Sequence, residues 1–226
     1  MRAALAGGVA IILLGTSLTA APPKKRPAVP TPPAIKTEPI AITCPDLLGQ
    51  GVKTGRSFCE VVAGGDQSQR DTVALPKHSG IAVLRFHLHN RQVVSTSLVK
   101  TGRAYTRATA TIGALAPDGA LLGRGVVQTE FRREADLFDR VSGGAGPGGL
   151  KAVAPVGDEV VVIDVPEKVD LVSLLGEKVV LIQVDGLQTV TADGHPIALV
   201  SSAQIEYRPV PPKPIKPAPK RKIRRK

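Results

Sequence analysis

The chain has no tryptophan, and only two tyrosines and four phenylalanines among its 226 residues. Modules that grip sugar rings or unpaired bases do so on aromatic platforms. So few rings disfavour a stacking carbohydrate module and a single-strand nucleic-acid binder. The short catalytic signatures are missing as well. There is no GxSxG, no HExxH and no CxxC, so neither a hydrolase elbow, a zincin helix nor a paired-cysteine redox motif is indicated. The glycine-rich stretch 142–149, SGGAGPGG, lacks the Lys-Ser/Thr of a phosphate-binding loop, and Pro147 removes an amide donor. It reads as a connection.

What the sequence has is charge, unevenly placed. The net charge is +11, which at first looks like a nucleic-acid signal. Yet residues 40–207 hold 16 basic and 18 acidic residues, a balance of −2. The surplus belongs to the flanks. Residues 208–226, RPVPPKPIKPAPKRKIRRK, carry nine Lys and Arg and no acid.

The flanks divide into three segments. Residues 1–21 read as a secretory signal peptide: Arg2 supplies the positive end, and Ala3 to Leu14 is an apolar run of 12 residues of the expected length. An uncleaved membrane anchor is the alternative, but Lys24-Lys25-Arg26 would then follow the span on the far side, against the positive-inside rule. Residues 22–39, PPKKRPAVPTPPAIKTEP, are proline-rich and read as an extended linker. Residues 208–226 read as a tail without an apolar pattern. Its end cluster, Lys220, Arg221, Lys222, Arg224, Arg225 and Lys226, is the candidate polyanion-binding site. Partners of matching chemistry are anionic envelope polymers and lipid headgroups; nucleic acid is the weaker candidate.

Residues 40–207 form the expected domain. Its organising stretch is Ile81 to Asn90. Ala82, Leu84, Phe86 and Leu88 fall on one face at period two, and Val83, Arg85, His87 and His89 on the other. That alternation predicts a strand with one face in a core and one in water. Further strands are expected over Arg56–Val62, Thr72–Leu75, Gln92–Val99 and Glu159–Val165. The run continues with Lys178–Val184, Leu187–Ala192 and Ile197–Tyr207. Glu167–Leu175 suits a short helix or a strand. Ala104–Ala116 and Ala120–Arg133 flank the turn Pro117-Asp118-Gly119 and predict a hairpin. Pairing Ala116 with Ala120 sets Leu115 opposite Leu121, Thr109 opposite Val127 and Tyr105 opposite Phe131. It also places Arg107 on an apolar row. Short strands separated by turns predict an all-β fold, an antiparallel β-sandwich, of which the immunoglobulin-like arrangement is one form.

Cys44 and Cys59, the only cysteines, are expected to pair in an exported chain. Closing a loop of that length contributes about 3 kcal/mol in the chain-entropy model. The spacing does not predict a metal or redox pair. His87 and His89, at i and i+2 on one strand face, are the candidate metal ligands, with His78, Glu60 and Glu130 as candidate third ligands. Arg85 on the same face opposes a cation, and the same residues suit a solvated strand face. The sequence therefore predicts an exported structural or interaction protein of the cell envelope, periplasmic or extracellular, without a cofactor, rather than an enzyme. The alternatives are a metal-binding protein or metal-dependent enzyme centred on His87 and His89, and a nucleic-acid binder acting through its tail.

Overall fold

The computed structural model describes residues 32–66 and 69–211. The signal peptide expected over 1–21, most of the linker and the cluster Lys220, Arg221, Lys222, Arg224, Arg225 and Lys226 lie outside the described residues. Among the described residues eleven strands and one short α-helix follow in order, besides single 3-10 turns at Glu134–Asp136 and Pro147–Gly149: β1 (Lys36–Ile40), β2 (Leu47–Gln50), β3 (Ser57–Val62), β4 (Asp71–Ala74), β5 (Ala82–Val93) and α1 (Thr96–Lys100). Then come β6 (Thr106–Leu115), β7 (Leu121–Phe131), β8 (Val153–Val165), β9 (Leu171–Gln183), β10 (Gly186–Val190) and β11 (Pro196–Tyr207).

The strands form two antiparallel sheets, as the alternating pattern predicts. The first has the order β2-β3-β11-β5-β8, with β1 also on β11; the second has the order β10-β9-β6-β7, with β4 on β9. The last strand, β11, lies inside its sheet between β3 and β5. In an immunoglobulin domain the last strand lies at an edge, so the order lends that arrangement no support.

β5 anchors the core. Ala82, Leu84, Phe86 and Leu88 are all buried, facing Ala110 and Ile112 of β6, Val127 of β7 and Leu174 of β9 in one apolar cluster. Asn90 continues the same face. Its Nδ2 donates to the carbonyls of Ala108 and Val127 and to Thr129 Oγ1, at 3.0, 3.2 and 2.9 Å. These bonds tie the first sheet to β6 and β7.

The second sheet comes close to β8 because β7 carries Gly123 and Gly125. A Cβ at Gly123 would lie 2.8 Å from Ile163 Cδ1, and one at Gly125 2.7 Å from Val161 Cγ2. Both contacts are too short to exist, so glycine at these positions lets the strand edges meet.

Several boundaries differ from expectation. The sheet begins before Ile40, since Lys36 to Pro39 pair with β11; Pro39 is tolerated because β1 is a short edge strand. The strand expected over Gln92–Val99 is split. β5 ends at Val93, and Ser95 caps α1 by accepting a bond from Leu98 N. Leu171 opens β9, so the ambiguous segment Glu167–Leu175 is strand from Leu171 onward and a turn before it. In the hairpin Leu115 does face Leu121, but a bulge at Leu122 shifts the rest by one. Thr109 faces Gln128, and Thr106 rather than Tyr105 faces Phe131. Arg107 then faces Glu130 and pairs with it, which removes the buried-arginine conflict.

The β7–β8 connection, residues 132–152, folds over the outer face of the first sheet. Val52 N donates to Arg140 O at 2.8 Å, and Ser142 N to Gln50 O at 3.0 Å. Asp139 fixes the crossing. Its carboxylate accepts from Lys53 N (2.9 Å), Thr54 N (2.8 Å) and Thr54 Oγ1 (2.6 Å). Burial pushes this carboxyl up, but the bonds from Thr54, Lys53 and Arg140 outweigh it and hold it below the usual range. Under the connection Leu48, Phe58, Val141 and Leu199 form a second apolar cluster with Phe138 and Val153.

Candidate functional site

His87 and His89 project from the outer face of β5, where that second cluster lies. Their surroundings differ. The side chain of His87 is 26% exposed, and its Nδ1 lies 2.5 Å from Asp158 Oδ1. Arg56 approaches the same carboxylate at 3.3 Å. His89 is completely buried, so the solvated strand face predicted from the sequence ends at His87. Phe58 meets the His89 ring edge to face and Phe138 lies tilted against it, at centroid distances of 5.3 and 4.9 Å.

The partners of His89 define its tautomer. Nδ1 lies 2.6 Å from the carbonyl of Gly157, which can only accept, so Nδ1 carries the proton. Nε2 lies 2.8 Å from Ser201 Oγ and accepts its hydroxyl proton. Burial lowers the pKa of this ring and keeps it neutral, against the opposing pull of the Gly157 carbonyl and Asp158. The carbonyl is aimed by a bulge. Gly157 has φ +74, and a Cβ there would strike the methyl of Thr129. A second irregularity faces it on β11, where Ser202 has φ 42 beside Ser201.

This arrangement is a structural lock more than a reaction centre. A serine hydroxyl bonded to an imidazole is the geometry of an activated nucleophile. Here both groups are sealed: Ser201, like His89, has no exposed surface. Both nitrogens of His89 are engaged, so it directs no lone pair at a metal. The three candidate third ligands lie elsewhere. The ring nitrogens of His78 face the carbonyls of Pro76 and Pro166, at 3.0 and 3.1 Å. Glu60 pairs with Arg91, and Glu130 with Arg107. The residue that does join the histidines is Asp158. The sequence signal for it was the glycine before it, since an isolated glycine inside a strand pattern marks a bulge.

Cys44 and Cys59 are joined, with Cα atoms 5.6 Å apart, inside the range that a disulfide spans. Such a bond belongs to an oxidising compartment. Among the described residues, no helix is long and apolar enough to cross a membrane. The sequence did not foresee the neighbour of this bond. Asp71, at the start of β4, is only 2% exposed. A carboxylate oxygen of Asp71 and the two sulfurs lie within 4.8 Å of one another.

A cleft of about 480 Å³ opens at one end of the sandwich. Val179, Leu181 and Ile197 supply apolar lining, and Gln92, Gln183 and Gln188 contribute amides. Apolar surface with a few hydrogen-bonding groups suits binding. The two arginines beside it are ion-paired, Arg91 with Glu60 at 2.7 Å and Arg103 with Asp185 at 3.1 Å.

No protein family and no curated protein matches the chain. Among solved structures, the catalytic domain of a GH87 alpha-1,3-glucanase in complex with nigerose matches at 13% identity and a TM-score of 0.28. The match covers 83% of this chain and 31% of that one. The D1068A form of that domain in complex with tetrasaccharides matches at 14% identity and a TM-score of 0.27, over 84% of this chain and 31% of that one. Likeness at this level carries no argument about substrate or activity.

Proposed function

We propose that the chain is an exported, non-enzymatic interaction protein that holds an anionic polymer of the cell envelope through its C-terminal basic tail. The observation that supports this most is the state of the domain's own cations. Arg56, Arg85, Arg91, Arg103, Arg107, Arg124, Arg132 and Arg133 each pair with a carboxylate of the domain. Eight arginines are thus neutralised by the domain's own carboxylates, and residues 40–207 as a whole carry 16 basic against 18 acidic residues. The densest run of unmatched charge in the sequence lies beyond residue 211, in eight Lys and Arg with no acid. Export is supported by the apolar leader and by the disulfide. The non-enzymatic reading is supported by the sealing of His89 and Ser201.

Retention on heparin tests this reading. Residues 208–210 belong with the domain, because Arg208 O accepts from Ser79 N and Pro209 bridges to His78. The variant should therefore end at Pro211. Binding driven by counterion release weakens steeply with salt, so the full chain should bind at low salt and elute as salt rises. The shortened chain should flow through with its circular dichroism unchanged. Equal retention of both forms would place the anion site on the domain and reject the proposal.

A further inference from the structure

The disulfide and its buried neighbour form a cluster that tail binding does not use. Its two sulfurs are unlike. Cys59 is 2% exposed and packs in the main core, whereas Cys44 is half-buried at its margin. An incoming thiolate can therefore approach Cys44, and Cys59 must be the leaving group. A thiolate left at Cys59 would be poorly placed. It is enclosed by apolar side chains, and the charged groups acting on the Asp71 site are the carboxylates of Asp46 and Glu60. Arg91, which faces Glu60, is already paired with it. Arg70, next in the chain to Asp71, reaches away to the carbonyl of Gly65. Leaving is feasible only if a proton arrives as the bond breaks. Asp71 is placed to supply it: its Oδ2 is buried and makes no hydrogen bond.

We infer that Cys44–Cys59 is an exchangeable disulfide and that Asp71 is the proton donor to Cys59 when it opens. A thiolate of a dithiol reductant attacks Cys44 Sγ. A mixed disulfide forms there as the Cys44–Cys59 bond breaks, and the electron pair leaves on Cys59 Sγ, which takes the proton of Asp71. The second thiol of the reductant, as its thiolate, then attacks the mixed disulfide. Cys44 is released, and the reductant closes to its own disulfide. In the reverse direction the Asp71 carboxylate removes the proton from Cys59. Burial first, and then Asp46 and Glu60, raise the pKa of Asp71 to about 7, so the donor is present in mildly acid and neutral solution and absent above it.

The test is the rate at which dithiothreitol reduces the full-length protein between about pH 5 and pH 9, divided at each pH by the reductant's thiolate concentration. The thiols are counted by alkylation and mass spectrometry. In the wild type the corrected rate constant should fall about tenfold as pH rises through the Asp71 pKa. In Asp71→Asn it should be low throughout and without that step. Reduction by way of unfolding would have the opposite sign, because ionising a buried carboxyl loosens the fold as pH rises. A flat wild-type profile overturns the inference even where Asp71→Asn does not fold. So does a wild-type step that Asp71→Asn retains.

Discussion

His89 Nε2 and Ser201 Oγ lie 2.8 Å apart across β5 and β11, and water reaches neither. Replacing His89 by alanine therefore removes a packed ring and leaves the Gly157 carbonyl and the Ser201 hydroxyl without partners. Together these should cost about 2–4 kcal/mol. His87→Ala removes a partly exposed hydrogen bond to Asp158 and should cost about 1 kcal/mol or less. Urea unfolding of the two variants checks the contrast. Equal losses would mean that the outer cluster does not depend on the His89 ring.

Stability should depend on pH through two opposed groups. The carboxyl of Asp71 is raised to about 7 in the folded chain. The folded state therefore holds a proton that the unfolded state releases above its ordinary carboxylate pKa. Stability from this group is full in acid and is lost as pH rises towards 7. His89 is shifted the other way. Its folded pKa is depressed, so the unfolded state binds the extra proton, and stability falls as pH drops below the ordinary histidine value of about 6.5. Subtracting the wild-type unfolding curve from that of Asp71→Asn isolates the first slope. The wild type should lose on the order of 3 kcal/mol relative to the variant between about pH 4 and pH 7. A difference that does not change with pH would show Asp71 to be ionised in the fold.

Leu84 and Phe86 stand at the centre of β5, between the sheets. An aspartate at either position places an unpaired charge there at a cost of several kcal/mol, comparable with the roughly 5–15 kcal/mol that holds a domain together. Leu84→Asp and Phe86→Asp should lack a cooperative thermal transition. A folded Phe86→Asp protein with near-native melting would contradict the packing described here.

The two-sheet architecture was legible because its signals are local. The inner row of β5 repeats every second residue, and Pro117-Asp118-Gly119 marks its own turn; Asp118 Oδ1 even accepts the Ala120 amide. The hairpin register was not legible, because one bulged residue moves every later pair. The burial of His89 was hidden for a different reason. The cover comes from Phe138 in the β7–β8 connection, and nothing in the alternation of β5 records that a distant segment will lie on its outer face. Asp71 was missed in the same way. Two pairings place it beside the cysteines: Thr72 exchanges backbone hydrogen bonds with Thr43, next to Cys44, and β4 pairs with β9 about a hundred positions away. Carboxylates can be counted in a sequence, but their burial depends on such pairings.

The pairing of Lys36 with Tyr207 has a mechanical consequence. β1 and β11 are antiparallel, so the chain enters and leaves the domain at adjacent points on one side. A pull applied between the two flanks would load that ladder as a zipper, opening its hydrogen bonds one after another from Lys36 and Tyr207 inwards, instead of shearing them together. The first yield under tension would be the contacts of Arg208 and Pro209 with Ser79 and His78, together with the release of β1. Behind it, β3 and β5 would still hold the N-terminal part of β11 in place.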